Sequence, residues 1–384
     1  YLLLDEETVL FDTVDWSAYR QLAENLDHLL GDRPLDWLVI NHMEPDHAAS
    51  VEQILLRYPD VNYDDVMHGW TENRTMNIGR TNAKKLLAGF RISQSNPYMI
   101  ARLFHFASLS DCYWMKDVEE TYTWEQVSLF ENPLEKTVTS TALLGTNRTF
   151  HTLVQRIHTP EFTAQGMAAK AWIRETDGLY LYKVGKKELP ASRILDALNI
   201  PHVSYIEAEN SRLEEIADQD YIDKIYKRGE KIVKCRIISS EETALVPWED
   251  FQVYCSYHNK NEYDMVKGMD AANYYNMQIA DYVLGNEDRH GANFGFFMNN
   301  KSGQLMGLYP LMDHDHAFSE DKDIPSQTSE QDESLQQAAY EAINHVEVSF
   351  DHVLGMKKPE DLDDMQWKAV LWRCMELHQK MGME

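Results

Sequence analysis

The chain has 384 residues, length for two or three domains with a substantial core. It carries 36 Lys and Arg against 63 Asp and Glu, a net charge of −27, and a field of that sign argues against direct binding to nucleic acid or anionic membrane. No apolar run approaches the ~20 residues of a membrane span, no charged-then-apolar leader opens the chain, and Cys112, Cys235, Cys255 and Cys374 stand far apart without a CxxC pair. A disulfide framework or thiolate zinc site has little support, and a soluble cytoplasmic protein is expected.

In chain order, "YLLLDEETVLFD" places two apolar runs around an acidic turn and predicts a hairpin. "DWSAYRQLAENLDHLLG" sets Tyr19, Leu22, Leu26 and Leu29 at helical spacing and stops at Gly31. "DWLVINH" predicts a buried strand and "SVEQILLRYP" a helix, completing a β-β-α-β-α unit. After Val61 the character changes to a polar, helix-prone stretch and then an aromatic-rich irregular region. "KAWIRE", "GLYLYKV", "ASRILDALN" and "HVSYIEA" predict strand, strand, helix and strand, and helices dominate beyond them. In "DDMQWKAVLWRCMELHQ", Trp367, Val370, Leu371, Cys374 and Leu377 form one apolar stripe, best read as core packing. Residues 319–334 are polar enough to predict an exposed, mobile loop, in which Ser326, Thr328 and Ser329 are candidates for regulatory phosphorylation.

The chemistry concentrates in "YVLGNEDRHGANFGFF". Asp288 precedes Asn293 by the five residues that separate the base and the metal-binding Asn of a kinase catalytic loop. Taken alone, Asp, Asn and Gly at this density also suit a helix-terminating turn. Asp313 follows a strand-turn-strand segment, where a kinase carries its principal metal ligand, and Lys183 ends an apolar strand from which it can reach a cleft. Glu188 opens the next helix, and the short "VGKKELPAS" connection decides whether it meets Lys183.

These segments, with "WTENRTMNIGRTNAKKLL", "ASLSDCYWMK", "TWEQVSLFENP" and "GLYPLMDHDHAF" in the same order, resemble the HipA-like serine/threonine kinase family over roughly residues 66–384. The resemblance implies an α+β, two-lobed protein-kinase-like fold: an accessory region at 66–150, a nucleotide-binding lobe at 151–265 and a helical lobe with the catalytic loop at 266–384. It implies Asp288 as catalytic base, Asn293 and Asp313 as magnesium ligands, Lys183 as the ATP phosphate contact and Glu188 as its partner. His290 either polarises the site or locks the loop by a hydrogen bond. The phosphate-covering loop would be "FTAQGMAAKAW", with Gly166 its only glycine and Lys170 at its end. ATP and magnesium are the implied cofactors, a protein carrying a Ser or Thr hydroxyl the substrate, and an antitoxin-like protein a further partner. A pseudokinase that binds without turnover is the alternative.

A second constellation, "INHMEPDHAAS", offers His42, Glu44, Asp46 and His47, a donor set suited to iron or zinc. Residues 1–65 form a separate small α/β fragment, whose stretch to about residue 61 resembles the start of flavodiiron proteins, a branch of the metallo-β-lactamase fold. That implies a metal-dependent oxidoreductase as a third reading. Such a site also draws ligands from later strands that this sequence replaces, so a remnant or fused fragment is expected over a working di-iron centre.

Overall fold

The computed structural model describes residues 1–40, 49–59, 61–64, 74–90, 101–116, 120–147 and 158–382. His42, Glu44, Asp46 and His47 lie outside the described residues. The chain divides into two compact units, Tyr1–Thr75 with Asn96–Ala101 and Met76–Ser95 with Arg102–Glu384. None of its described helices is long and apolar enough to cross a membrane.

In the first unit, β1 (Leu2–Leu4) and β2 (Thr8–Phe11) make the expected hairpin, with Leu2 opposite Leu10. β2 runs parallel to β3 (Trp37–Val39), and β3 parallel to β4 (Asn62–Asp64). Parallel neighbours need a crossover, and helices Tyr19–Leu30 and Val51–Arg57 supply the two. The unit is therefore β-β-α-β-α with a further strand, β4, that the change of character after Val61 concealed. Leu26, Leu30, Leu38 and Ile54 close its core. Leu29, assigned to the apolar stripe, is instead exposed, and Leu30 turns inward in its place.

The second unit is α+β, as expected, and carries two sheets. The first has the order β5-β6-β8-β7, with β5 (Lys170–Glu175), β6 (Gly178–Val184), β7 (Ile206–Glu207) and β8 (Ile232–Arg236), all antiparallel. Side chains alternate across a strand, so Leu181 and Lys183 share one face. There Leu181 and Val233, the residue opposite Lys183, pack with Leu189 of helix Glu188–Leu198.

The second sheet, β11-β10-β9, joins β9 (Thr243–Pro247), β10 (Gly295–Asn299) and β11 (Leu305–Leu308). Gly295 sits opposite Pro247, and a Cβ there would stand 2.1 Å from the Val246 carbonyl oxygen, so only glycine permits this approach. The largest core gathers Ile194, Leu195 and Leu198 with Trp248, Phe251, Phe294 and Phe296 and with Val370, Cys374 and Leu377 of helix Asp364–Met381. Helix Glu188–Leu198 is thereby cemented both to the first sheet and to the helical part.

Three expectations need correction. Strands β8 and β9 interrupt the region assigned to helices, and "HVSYIEA" supplies only the two residues of β7, with His202 bridging to Leu311. The 319–334 segment is not a free loop: Ser326 N–H donates to Glu333 O at 2.8 Å, Leu335 N–H to Ile324 O at 2.8 Å, and Tyr274 Oη to Thr328 O at 3.0 Å. Within it Ile324 and Thr328 are buried, and Gln278 Nε2 donates to the Thr328 hydroxyl at 3.1 Å, so Thr328 is withdrawn from modification in this conformation.

Candidate functional site

Lys183 is the centre of the site. It leaves the buried face of β6 near the end of the strand, and only 3% of its side chain is exposed. Its ammonium lies 2.6 Å from Glu188 Oε1, 2.7 Å from Asp313 Oδ1 and 2.8 Å from Asp315 Oδ1. Glu188 is the first residue of its helix, where the positive end of the helix dipole favours a carboxylate. The short connection from β6 thus brings the pair together. The fully buried Glu188 also accepts from the His314 backbone N–H at 3.2 and 3.3 Å. That bond ties the helix start to the segment bearing Asp313.

The electrostatics follow from burial and partners. Burial acts against the charged form of Lys183, but Glu188, Asp313 and Asp315 outweigh it and hold the ammonium protonated. Burial likewise opposes the anions of Asp313 and Glu188, and Lys183 holds both below the usual carboxylate range. Asp315 goes the other way: burial, with Asp313 and Glu188 beside it, overcomes Lys183 and raises its carboxyl to about 6.

Lys170 lies opposite Lys183 across β5 and β6. Burial lowers its amine to about 8, with Asp313 supporting the charge and Lys183 opposing it. The amine closes a turn by donating to Gln165 O at 2.6 Å. Gly166 occupies that turn with φ +87°, so the single glycine is favoured by conformation.

The Asp288 loop is organised by a neighbouring arginine. Helix Glu262–Leu284 presents Asp281, fully buried, to Arg289, whose Nε lies 3.2 and 3.1 Å from the two carboxylate oxygens. Arg289 Nη1 then donates to Asn293 O at 3.2 Å and to Met312 O at 2.6 Å. One buried guanidinium therefore fixes both ends of the loop and the residue before Asp313. Asn293 Nδ2 donates to Asp288 O at 2.9 Å. Asp288 itself is 46% exposed at the loop tip, with His290 Nε2 at 3.9 Å and His316 Nε2 at 4.0 Å from its Oδ2. His290 also accepts from Ala292 N–H at 3.3 Å, the loop-locking alternative.

The structure accordingly pairs Lys183 with Glu188 and Asp313, bonds the Asn293 amide to the Asp288 main-chain carbonyl, and ties the two segments through Arg289. Lys170 opens β5 beside them, and Gly166 lies in the turn before that strand. Sequence reasoning missed Asp315, Asp281 and the role of Arg289. The signals were an acid two residues after Asp313 and a lone acid inside the apolar run "MQIADYVLG", whose burial calls for a cation or strong hydrogen-bond donors. Oxygen atoms of Glu188, Asp313 and Asp315 lie within 4.8 Å of one another, gathered around the Lys183 ammonium; of these hard donors, of the kind that magnesium takes, Asp313 is the one the sequence assigns to metal.

No family model matches the chain. An N-terminal stretch of 60 residues is 40% identical to the anaerobic nitric oxide reductase flavorubredoxins of Klebsiella pneumoniae and Pectobacterium atrosepticum, in keeping with the expected flavodiiron-like fragment. The match takes in 16% of this chain, which spans only 12% of the length of those relatives. Among solved structures, the Helicobacter pylori proinflammatory kinase CtkA is similar at 13% identity over 55% of this chain and 90% of its own, with a TM-score of 0.40. The Golgi casein kinase is similar at 14% identity over 56% of this chain and 70% of its own, with a TM-score of 0.28.

Proposed function

We propose that the chain is an ATP- and magnesium-dependent phosphotransferase, a HipA-like kinase acting on a Ser or Thr hydroxyl of a protein. The observation that carries this reading is the joining of segments scattered between positions 183 and 313: Lys183 on Asp313, the Asn293 amide on the Asp288 main-chain carbonyl, and Arg289 bonded to Asn293 O and Met312 O. In this reading Lys183 neutralises phosphate oxygens, and Asp313 and Asn293 hold magnesium, which when bound offsets the charge of the phosphates. Asp288, half-exposed at its loop tip, orients the substrate hydroxyl and accepts its proton. Arg289 is a positioning residue. An antitoxin-like protein partner belongs to the same reading.

A pseudokinase is the second reading, favoured by one observation: all three carboxylates near Lys183 already engage its ammonium. Incubation with labelled ATP and magnesium separates the two. A kinase transfers label to itself or to a general acceptor such as casein, and Asp288→Ala loses transfer while still being stabilised by ATP. Stabilisation by ATP without transfer, the same in Asp288→Ala, selects the pseudokinase. A flavodiiron-type oxidoreductase has only the N-terminal match in its support, and purified protein free of iron and zinc would remove it.

A further inference from the structure

We propose that Asp315 occupies, at Lys183, the position that a nucleotide phosphate must take, so that nucleotide binding requires its carboxylate to move aside. The inference rests on the phosphotransferase reading and concerns a residue that reading does not use. An ammonium has three N–H donors and no more. Here three carboxylate oxygens stand at 2.6, 2.7 and 2.8 Å from Lys183 Nζ. A phosphate oxygen can therefore bond to Lys183 only by replacing one of them.

The three are not equally replaceable. Glu188 is fully buried at its helix start and is bonded to the His314 N–H. Asp313 makes a hydrogen bond to Lys183, and its segment is fixed on both sides, by Arg289 on Met312 O and by His314 N–H on Glu188. Asp315 is a third exposed, as Asp313 is, and takes a Lys183 donor at 2.8 Å, but the phosphotransferase reading gives it no metal to hold. Among the described residues Lys183 is its one polar partner. Its Oδ1 lies beside the turn after β6, 3.6 Å from where a Cβ on Gly185 would stand. A phosphate entering while Asp315 stays would also face three like charges around one cation. Releasing Asp315 frees a donor and removes the nearest of the repulsions that the buried scaffold does not need.

Calorimetric titration of ATP in EDTA, so that no divalent metal takes part, tests this on the full chain, Asp315→Asn, Asp315→Ala and Lys183→Met, each first shown to unfold cooperatively on heating. Both Asp315 variants should bind ATP about tenfold more tightly than the unchanged chain, the scale of one charged hydrogen bond, and Lys183→Met should lose binding. If one Asp315 variant does not fold, the other carries the comparison. Equal affinities in the unchanged chain and the Asp315 variants overturn the inference and leave the kinase reading standing. Weaker binding in the Asp315 variants also overturns it, making Asp315 a supporting ligand. A folded chain that binds no ATP in any form, with magnesium restored as well as without it, overturns both.

Discussion

The two ends of the candidate site are built in opposite ways. At the Lys183 end the lysine and its helix glutamate are withdrawn from water, with 3% and none of their side chains exposed, and only Asp313 and Asp315 reach the surface, at 35% and 33%. At the Asp288 end the Asp288 carboxylate and its neighbouring His290 are 46% and 45% exposed, and the burial is transferred to Arg289 and Asp281 beneath them. The difference matches what the proposed phosphotransfer would ask of each end. Stabilising phosphate charge benefits from preorganised groups in a low-dielectric setting. Accepting a proton from a protein hydroxyl needs an open approach and a fixed loop.

That contrast can be broken from beneath. Arg289→Met leaves Asp281 buried without its cation and releases Asn293 O and Met312 O together, and loss of one partner of a buried pair costs about 3–5 kcal/mol. Urea unfolding should show a drop of that size. A change under ~1 kcal/mol would mean that the pair is not the anchor assigned here. Gly295→Ala acts on the Asp288 end alone, forcing β10 away from Val246 O just after the loop, and should cost about 1–3 kcal/mol in the same assay. Lys183→Met should bind nucleotide far more weakly while the Asp288 loop keeps its protection in hydrogen exchange.

The smallest effect sharpens the Lys183 end. Burial lowers the Lys170 amine to about 8, against ~10.4 in an unfolded chain. Between those values the unfolded chain binds the proton more readily, so the penalty for burying the charge is fully present below pH 8 and fades as pH rises toward 10. Lys170→Met removes the penalty. Its melting temperature relative to the unchanged chain should therefore fall as pH rises from 7.5 to 9.5, and a constant difference would show that Lys170 stays charged throughout.

Residues whose role depends on spacing along the chain were legible. Asp288 and Asn293 are five apart on one loop, Lys183 ends an apolar strand, and Glu188 opens the next helix; the structure joins Lys183 to Glu188 as expected and bonds the Asn293 amide to the Asp288 main-chain carbonyl. Residues whose role depends on distant partners were not. Nothing local tells that Arg289 rather than His290 anchors the loop, because its partner Asp281 lies a turn back in the long helix and its third contact is the Met312 carbonyl. β8 was passed over because five residues containing Lys234 and Arg236 acquire strand character from pairing with β6 and β7. In the 319–334 segment, polar composition hid the two buried residues, Ile324 and Thr328, that fasten it.

The most direct test of the central claim is transfer of the terminal phosphate of labelled ATP, with magnesium, to the chain itself or to casein, measured beside Asp288→Ala. The account predicts transfer by the unchanged chain and a fall of about a hundredfold to ten-thousandfold in the variant, with ATP still raising the melting temperature of both. A well-folded chain that neither transfers label nor is stabilised by ATP would contradict it.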